Sequence, residues 1–283
     1  MSNSSVIAAI VSAMEETNRQ LGEGAVWDPK DGMQKLFLLE DMNGWRPWIK
    51  EIPEMVASSQ IEVIGDIKHI RAKSHLDVTV HWPEEGIEVK IIDPEDKDKI
   101  YPGVRLKREF MTFYSFKGHE YPVARINTQT NDEVWITMCP DGGNLVGREL
   151  DVFIRERFLL GEHQMTFHKF GGLKFPMIKF EVEGKIFWLI GMRGTDGDGF
   201  PAEIADASQM TKFGMNTKGA RVISTVRIHT TVMMAAAPEY VPPDHVINRP
   251  FLLWITRPGI PSPYAIFWFD QENWKNPGDL SGL

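Results

Sequence analysis

Two unbroken apolar runs near the carboxy end constrain the fold of this chain more than any other feature. They are Phe251-Leu252-Leu253-Trp254-Ile255-Thr256 and Tyr264-Ala265-Ile266-Phe267-Trp268-Phe269, separated by a turn rich in proline and glycine. Continuous apolar and aromatic residues, with no polar alternation, predict two strands joined as a hairpin and buried on both faces. Just upstream lies the small-residue, proline-studded stretch Ala235-Ala236-Ala237-Pro238-Glu239-Tyr240-Val241-Pro242-Pro243-Asp244-His245. Proline has no N–H to give to a ladder, so Pro238, Pro242 and Pro243 predict a loop that stays out of a sheet interior.

A chain of 283 residues has ample length to bury such a hairpin, in one large domain or two small ones. With 42% hydrophobic and 25% charged residues it reads as an ordinary soluble globular protein. A formal net charge of −8 disfavours nucleic acid or an anionic membrane as the main partner. Cys139 is the single cysteine, which excludes an intrachain disulfide and fits a reducing compartment. The stretch Met1–Gln20 has no basic residues ahead of its apolar ones and is broken by Ser12, Glu15 and Glu16. It fits neither a cleavable signal nor a membrane span, and a cytoplasmic protein is the expectation. Asn3-Ser4-Ser5 has the form of a glycosylation sequon and is read as a chance match.

Between the loop and the hairpin stand Ile247, Asn248, Arg249, Pro250, Phe251, Leu252, Leu253 and Ile255. They resemble the carboxy-terminal signature of serpins: an aliphatic residue, Asn or Asp, a basic residue or His, Pro, Phe, then hydrophobics. His245 stands where that family usually has an apolar residue. Val241-Pro242-Pro243-Asp244 looks like the segment that follows a serpin's bait bond. Further landmarks occur in serpin order. Phe110 to Phe116, Tyr121 to Asn127 and Glu133 to Met138 form a predicted antiparallel meander, with Pro140-Asp141-Gly142 after its third strand. Leu173-Lys174-Phe175-Pro176-Met177-Ile178-Lys179-Phe180 looks like a serpin strand, and Ile190-Gly191-Met192, Phe200 and Ala205 to Met210 follow it. The resemblance implies an α+β fold: a serpin-like multi-sheet domain with packed helices, shortened in its N-terminal half. Residues 1–283 are expected to form a single domain, with residues 45–105 outside the match.

The remaining elements are read from periodicity. Val6, Ile7, Ile10, Val11 and Met14 predict an amphipathic helix from about Ser4 to Gln20, stopped near Gly22. A short buried strand follows at Gly24 to Pro29, then an apolar helix carrying Met33 and Leu36 to Leu39. Gly44 to Pro53 reads as a packed loop. From Gln60 to Ile92, β-branched residues alternate with charged ones and predict half-buried strands. Asp93 to Lys99 reads as a solvated loop. Leu150 to Leu160 reads as a helix with Val152, Phe153, Ile154 and Phe158 on its apolar side.

Chemistry is sparse. Neither a Gly-x-Ser-x-Gly motif nor paired Cys/His metal spacing is present. Gly191, Gly194, Gly197 and Gly199 read as a turn without the strand-to-helix setting of a phosphate loop. His163 and His168 are off helical metal spacing. Trp188, Trp254 and Trp268 read as core, and Lys99, Arg105, Lys107 and Arg108 as a solvated strand edge. No enzyme activity, metal or cofactor is expected.

The serpin resemblance does imply a mechanism to weigh. An inhibitory serpin is cut in an exposed loop, which inserts as a new central strand and drags the trapped protease with it. Insertion needs small residues at the hinge and enough chain to span the sheet. Here the hinge would be Thr230, Thr231, Val232, Met233, Met234, Ala235, Ala236 and Ala237, with bulky methionines and no glycine. The implied bait bond is Glu239–Tyr240. About eight residues then precede it and reach roughly 26 Å, about half the span of an insert of about fifteen residues. The expectation is a non-inhibitory binding or scaffold protein with an unidentified protein partner. The competing expectation is a serine or cysteine protease inhibitor that uses Glu239 and Tyr240.

Overall fold

The computed structural model describes residues 3–64, 67–166, 169–222 and 242–282. The chain forms two compact units. One comprises Met1–Ser5, Val78–Phe180 and Lys212–Leu283; the other comprises Val6–Asp77 and Glu181–Thr211. The architecture is mixed α+β with several sheets and few helices, as expected.

The first unit is built round the predicted hairpin. Phe251–Thr256 pairs antiparallel with Ala265–Phe269, from Phe251↔Phe269 to Ile255↔Ala265. The sheet continues through Glu133–Met138, Val123–Asn127 and Met111–Phe116, the predicted meander, and ends at His163–Met165. Each face of the hairpin has its own cover, which is why neither strand alternates in polarity. Leu252, Trp254, Ile266 and Trp268 pack with Leu150, Ile154 and Phe158 of the helical segment. On the other face Phe213 lies 4.6 Å from Phe267 and 5.1 Å from Phe269, ring to ring, and Phe180 lies 5.5 Å from Phe269.

The Pro140-Asp141-Gly142 landmark has a steric reason. Trp268 Nε1 donates to the Cys139 carbonyl at 2.8 Å, and its ring lies over Gly142 and Gly143. A Cβ on Gly142 would stand 2.6 Å from that ring. Asn3–Ser5 adds an outer strand beside Ala265–Phe269, with Asn3 Nδ2 donating to the carbonyls of Gly143 (3.1 Å) and Leu145 (2.9 Å). The helix predicted from Ser4 therefore begins later, at Ile7. Pairing with a strand so distant in the sequence leaves no local signature.

The helical segment begins at Arg148 as an α-helix to Ile154 and widens into a π-helical turn, Arg155–Leu159. That phase turns Leu150 inward and leaves Val152, expected on the apolar side, 39% exposed. A second sheet of this unit runs His245–Val246, Gly172–Pro176, Ile100–Lys107, Ile87–Ile92. Gly103 allows it to close: a Cβ there would meet Ile91 at 2.6 Å and the Phe175 carbonyl at 3.0 Å. Gly219–Val222 pairs with Val78–His81 and with the end of Pro201–Met215. The Asp93 to Lys99 loop is solvated except for Asp93, which is buried and accepts from the Glu95 N–H at 2.9 Å.

In the second unit, helix Ile7–Leu21 lies against the hairpin Met55–Ile64/Ile67–Leu76. Its first two turns are buried all round, which the small side chains of Ala8, Ala9 and Ala13 permit. It ends at Gly22, whose φ of +92° suits glycine. Asp31 caps the next helix, Gly32–Leu36, by accepting from Gln34 N–H at 2.9 Å, while Gln34 Oε1 accepts from Lys30 N–H at 2.7 Å. The expected apolar helix goes on as a π-helical turn, Phe37–Asp41, and a further helical turn, Met42–Trp45, that takes in the first two residues of the expected loop. Phe37 carries the packing, at 5.1 Å from Trp188, whereas Met33, Leu36 and Leu39 face solvent. The strand predicted near Trp27 is Val26–Asp28. It is not buried as expected, because it pairs with Arg193–Thr195 alone among the described residues and Val26 is 63% exposed. Arg193–Thr195 pairs in turn with Pro201–Met215. The latter runs parallel to Ile67–Leu76 from Ala202↔Lys68 to Ala207↔Ala72, with a register shift between Ile204 and Asp206.

Candidate functional site

The expected hinge, Thr230 to Ala237, the Glu239–Tyr240 bond and His168 lie outside the described residues. What the structure does place is the stem on which that loop returns, Pro242 to Phe251, wholly within the first unit.

The stem is fastened at successive points. The Pro243 carbonyl accepts from Gly171 N–H at 3.1 Å. Asp244 receives a forked pair from Arg105, Nε to Oδ2 at 2.8 Å and Nη2 to Oδ1 at 3.1 Å, and Lys174 Nζ lies 3.2 Å from Oδ2. Burial alone would raise the Asp244 carboxyl. Its hydrogen bonds to Arg105 and Lys174 and their charges outweigh that and hold it below the ordinary carboxylate range. His245 and Val246 then pair parallel with Leu173 and Lys174, and the Ile247 N–H donates to the Lys174 carbonyl at 2.8 Å.

His245 is 7% exposed, with its ring 5.0 Å from Phe170 and edge-on to Phe113 at 6.0 Å. Burial, with a smaller push from Lys169, lowers its pKa to about 4, so the ring is neutral at pH 7. A neutral imidazole fills the place of the apolar residue usual there in serpins. The Ile247 side chain is fully buried, and Arg249 reaches Glu95 at 3.2 Å. The Pro250 carbonyl accepts from Cys139 N–H at 2.8 Å, and Phe251 packs against Phe269 and Trp274. Asn248 is half-buried.

The basic run is consumed within the fold. Lys99 pairs with Asp96 (3.3 Å), Arg105 with Asp244, and Lys107 with Glu84 (2.8 Å), while Arg108 donates to the Met111 carbonyl. Within the Gly191 to Gly199 stretch Arg193–Thr195 is a strand, and the turn after it is closed by the Asp196 side chain, which accepts from Asp198 and Phe200 N–H groups. Trp254 and Trp268 are core, and Trp188 is half-buried. The open cleft of about 260 Å³ beside Asn216, Lys218 and Asp279 is polar and has no tryptophan in its lining. Sequence reasoning did not single out Asp244. Its partner Arg105 is 139 positions away, and no local pattern joins them.

No protein-family model matches the chain, and no curated protein matches it. Among solved structures it is similar to Serpin48 of the insect Tenebrio molitor, described as a highly specific serpin. The identity there is 10% and the TM-score 0.47, over 93% of this chain and 96% of the other. It is also similar to human thyroxine-binding globulin, at 13% identity and a TM-score of 0.41, over 71% of this chain and 54% of the other. The chain is serpin-like in the order of its landmarks: the meander, the Pro-Asp-Gly turn under Trp268, and the signature that leads into the buried hairpin.

Proposed function

We propose that this is a non-inhibitory, serpin-like binding or scaffold protein whose loop cannot complete strand insertion. The observation that carries this reading is length. Counted from Thr230 through Glu239, the ten residues reach about 33 Å as a strand, roughly two-thirds of the ~50 Å that an insert of about fifteen residues covers. The stem supports it from the other side. The Asp244 fork, the short parallel ladder at His245–Val246 and the Pro250 carbonyl bond fix the chain shortly after Tyr240, so the uncut loop cannot draw slack from downstream either. The partner is a protein bound without cleavage; neither nucleic acid nor membrane is its target. Among the described residues no helix is long and apolar enough to cross a membrane. We assign it no catalytic role, since the sequence offers no nucleophile-and-base motif.

One observation favours the inhibitor reading. The parallel pairing of Ala202–Ala207 with Lys68–Ala72 is a seam whose two strands run the same way, so one added strand would lie antiparallel to both. Incubation with serine and cysteine proteases, including ones that cut after acidic residues, separates the two readings. The binding protein yields cleaved or intact chain and no SDS-resistant complex. A protease covalently held at Glu239 overturns it.

A further inference from the structure

The second sheet of the first unit ends in an edge strand whose outward side is, among the described residues, occupied at its start. Gly86 N–H donates to the Thr217 carbonyl at 2.7 Å, and Glu88 lines the open cleft with Thr217, Lys218 and Asp279. Ile87–Ile92 is last in its strand order and has a sheet neighbour on one side only among the described residues, Ile100–Lys107. The Asp93 N–H donates to the Lys99 carbonyl at 3.1 Å, which fixes the phase of that ladder. With the register Ile87↔Arg105 to Ile92↔Ile100, residues 87, 89 and 91 turn their backbone groups inward. The N–H and C=O groups of Glu88, Lys90 and Ile92 therefore point away from the sheet. Side chains alternate about the same strand. Ile91 is fully buried, Ile87 is 55% exposed on that same face, and Glu88 and Lys90 are exposed on the other. Among the described residues, neither charged side chain has an ion-pair partner within the protomer.

This edge is complementary to itself. Set two copies antiparallel about Val89, and the outward groups of Glu88 face those of Lys90 in the second copy, and the reverse. Ile87 then stands opposite Ile91 and loses its exposure to water. The adjacent registers that keep outward groups opposed place Lys90 against Lys90 or Glu88 against Glu88, and like charges directly opposite repel. Charge thus selects one register, and it is the two-fold one.

We propose that the protein self-associates through this edge, with the Ile87–Ile92 strands of two copies pairing antiparallel about Val89. A six-residue edge buries less than the roughly 1,200 Å² of a standard interface, so the dimer forms weakly, in the micromolar range.

Sedimentation velocity on the full chain from about 5 to about 200 µM tests it, with the wild type, Glu88→Lys, Lys90→Glu and the double exchange. The wild type moves from monomer to dimer across that range. Each single reversal raises the dissociation constant about tenfold or more, and the double exchange restores it to within about threefold. Far-ultraviolet circular dichroism verifies that each variant is folded, as expected for exposed side chains. A wild type that stays monomeric throughout means that Lys90 serves to keep other strands off the edge, and overturns the proposal. So does a dimer that both single reversals leave unchanged.

Discussion

The hairpin Phe251–Thr256/Ala265–Phe269 and the seam between Ile67–Leu76 and Pro201–Met215 are both sheet pairings, but they are held in different ways. The hairpin is antiparallel, keeps one register along its length and is covered by aromatic rings on both faces. The seam is parallel, changes register between Ile204 and Asp206 and pairs only part of each strand. Parallel pairing is slightly weaker per residue, and a register shift leaves a residue unpaired. One unit therefore contains a pairing that resists separation, and the other a pairing that is easier to open.

Substitutions sharpen that contrast. The largest effect is expected from Trp254→Ala. Its ring stacks on Trp135 (5.8 Å between centroids) and on Phe158 (5.0 Å), and its removal costs about 3–5 kcal/mol, read as a lowered urea midpoint. A loss below about 1 kcal/mol would break the comparison. Asp244→Ala comes next, at about 2 kcal/mol at pH 7, because Arg105 and Lys174 lose their shared acceptor. The folded carboxyl lies below its unfolded value, so this stabilisation is complete above about pH 4 and fades as pH falls through the folded value. The difference between wild type and variant should narrow accordingly in melts at decreasing pH.

His245→Phe has a smaller effect of opposite sense. The folded imidazole stays neutral to about pH 4, while the unfolded one takes up its proton near pH 6.5. Unfolding therefore binds a proton between these values, and wild-type stability falls as pH drops from about 6.5 toward 4. The phenylalanine variant should lose less than the wild type across that window in paired melts. His119 contributes to the same slope and remains in the variant: burial, with Arg157 nearby, lowers it to about 4. The smallest effect is expected at the seam itself, where Ala207→Gly costs about 1 kcal/mol or less.

Much of the first unit was legible in the sequence, because its signals are local and agree with one another. The turns Lys117-Gly118-His119 and Thr130-Asn131-Asp132 separate strands of regular length, and the hairpin shows its double burial as unbroken apolar runs. What stayed hidden is non-local. Asn3–Ser5 became a strand by pairing with Ala265–Phe269, and Val26 lies exposed because its strand has a single neighbour among the described residues. The π-helical turn at Arg155–Leu159 belongs to a helical segment whose phase puts Leu150 inside in place of Val152. At the candidate site, the signature Asn248 to Phe251 was readable as a motif. The Asp244–Arg105–Lys174 cluster that pins the stem was not, because folding alone brings its members together.

Thermal unfolding before and after a nick at Glu239–Tyr240 tests the shortness of the loop most directly. A segment too short to add a full strand leaves the midpoint within about 3 °C of the uncut protein. A rise of roughly 10 °C or more on cutting, the mark of a strand gained by the sheet, would contradict it.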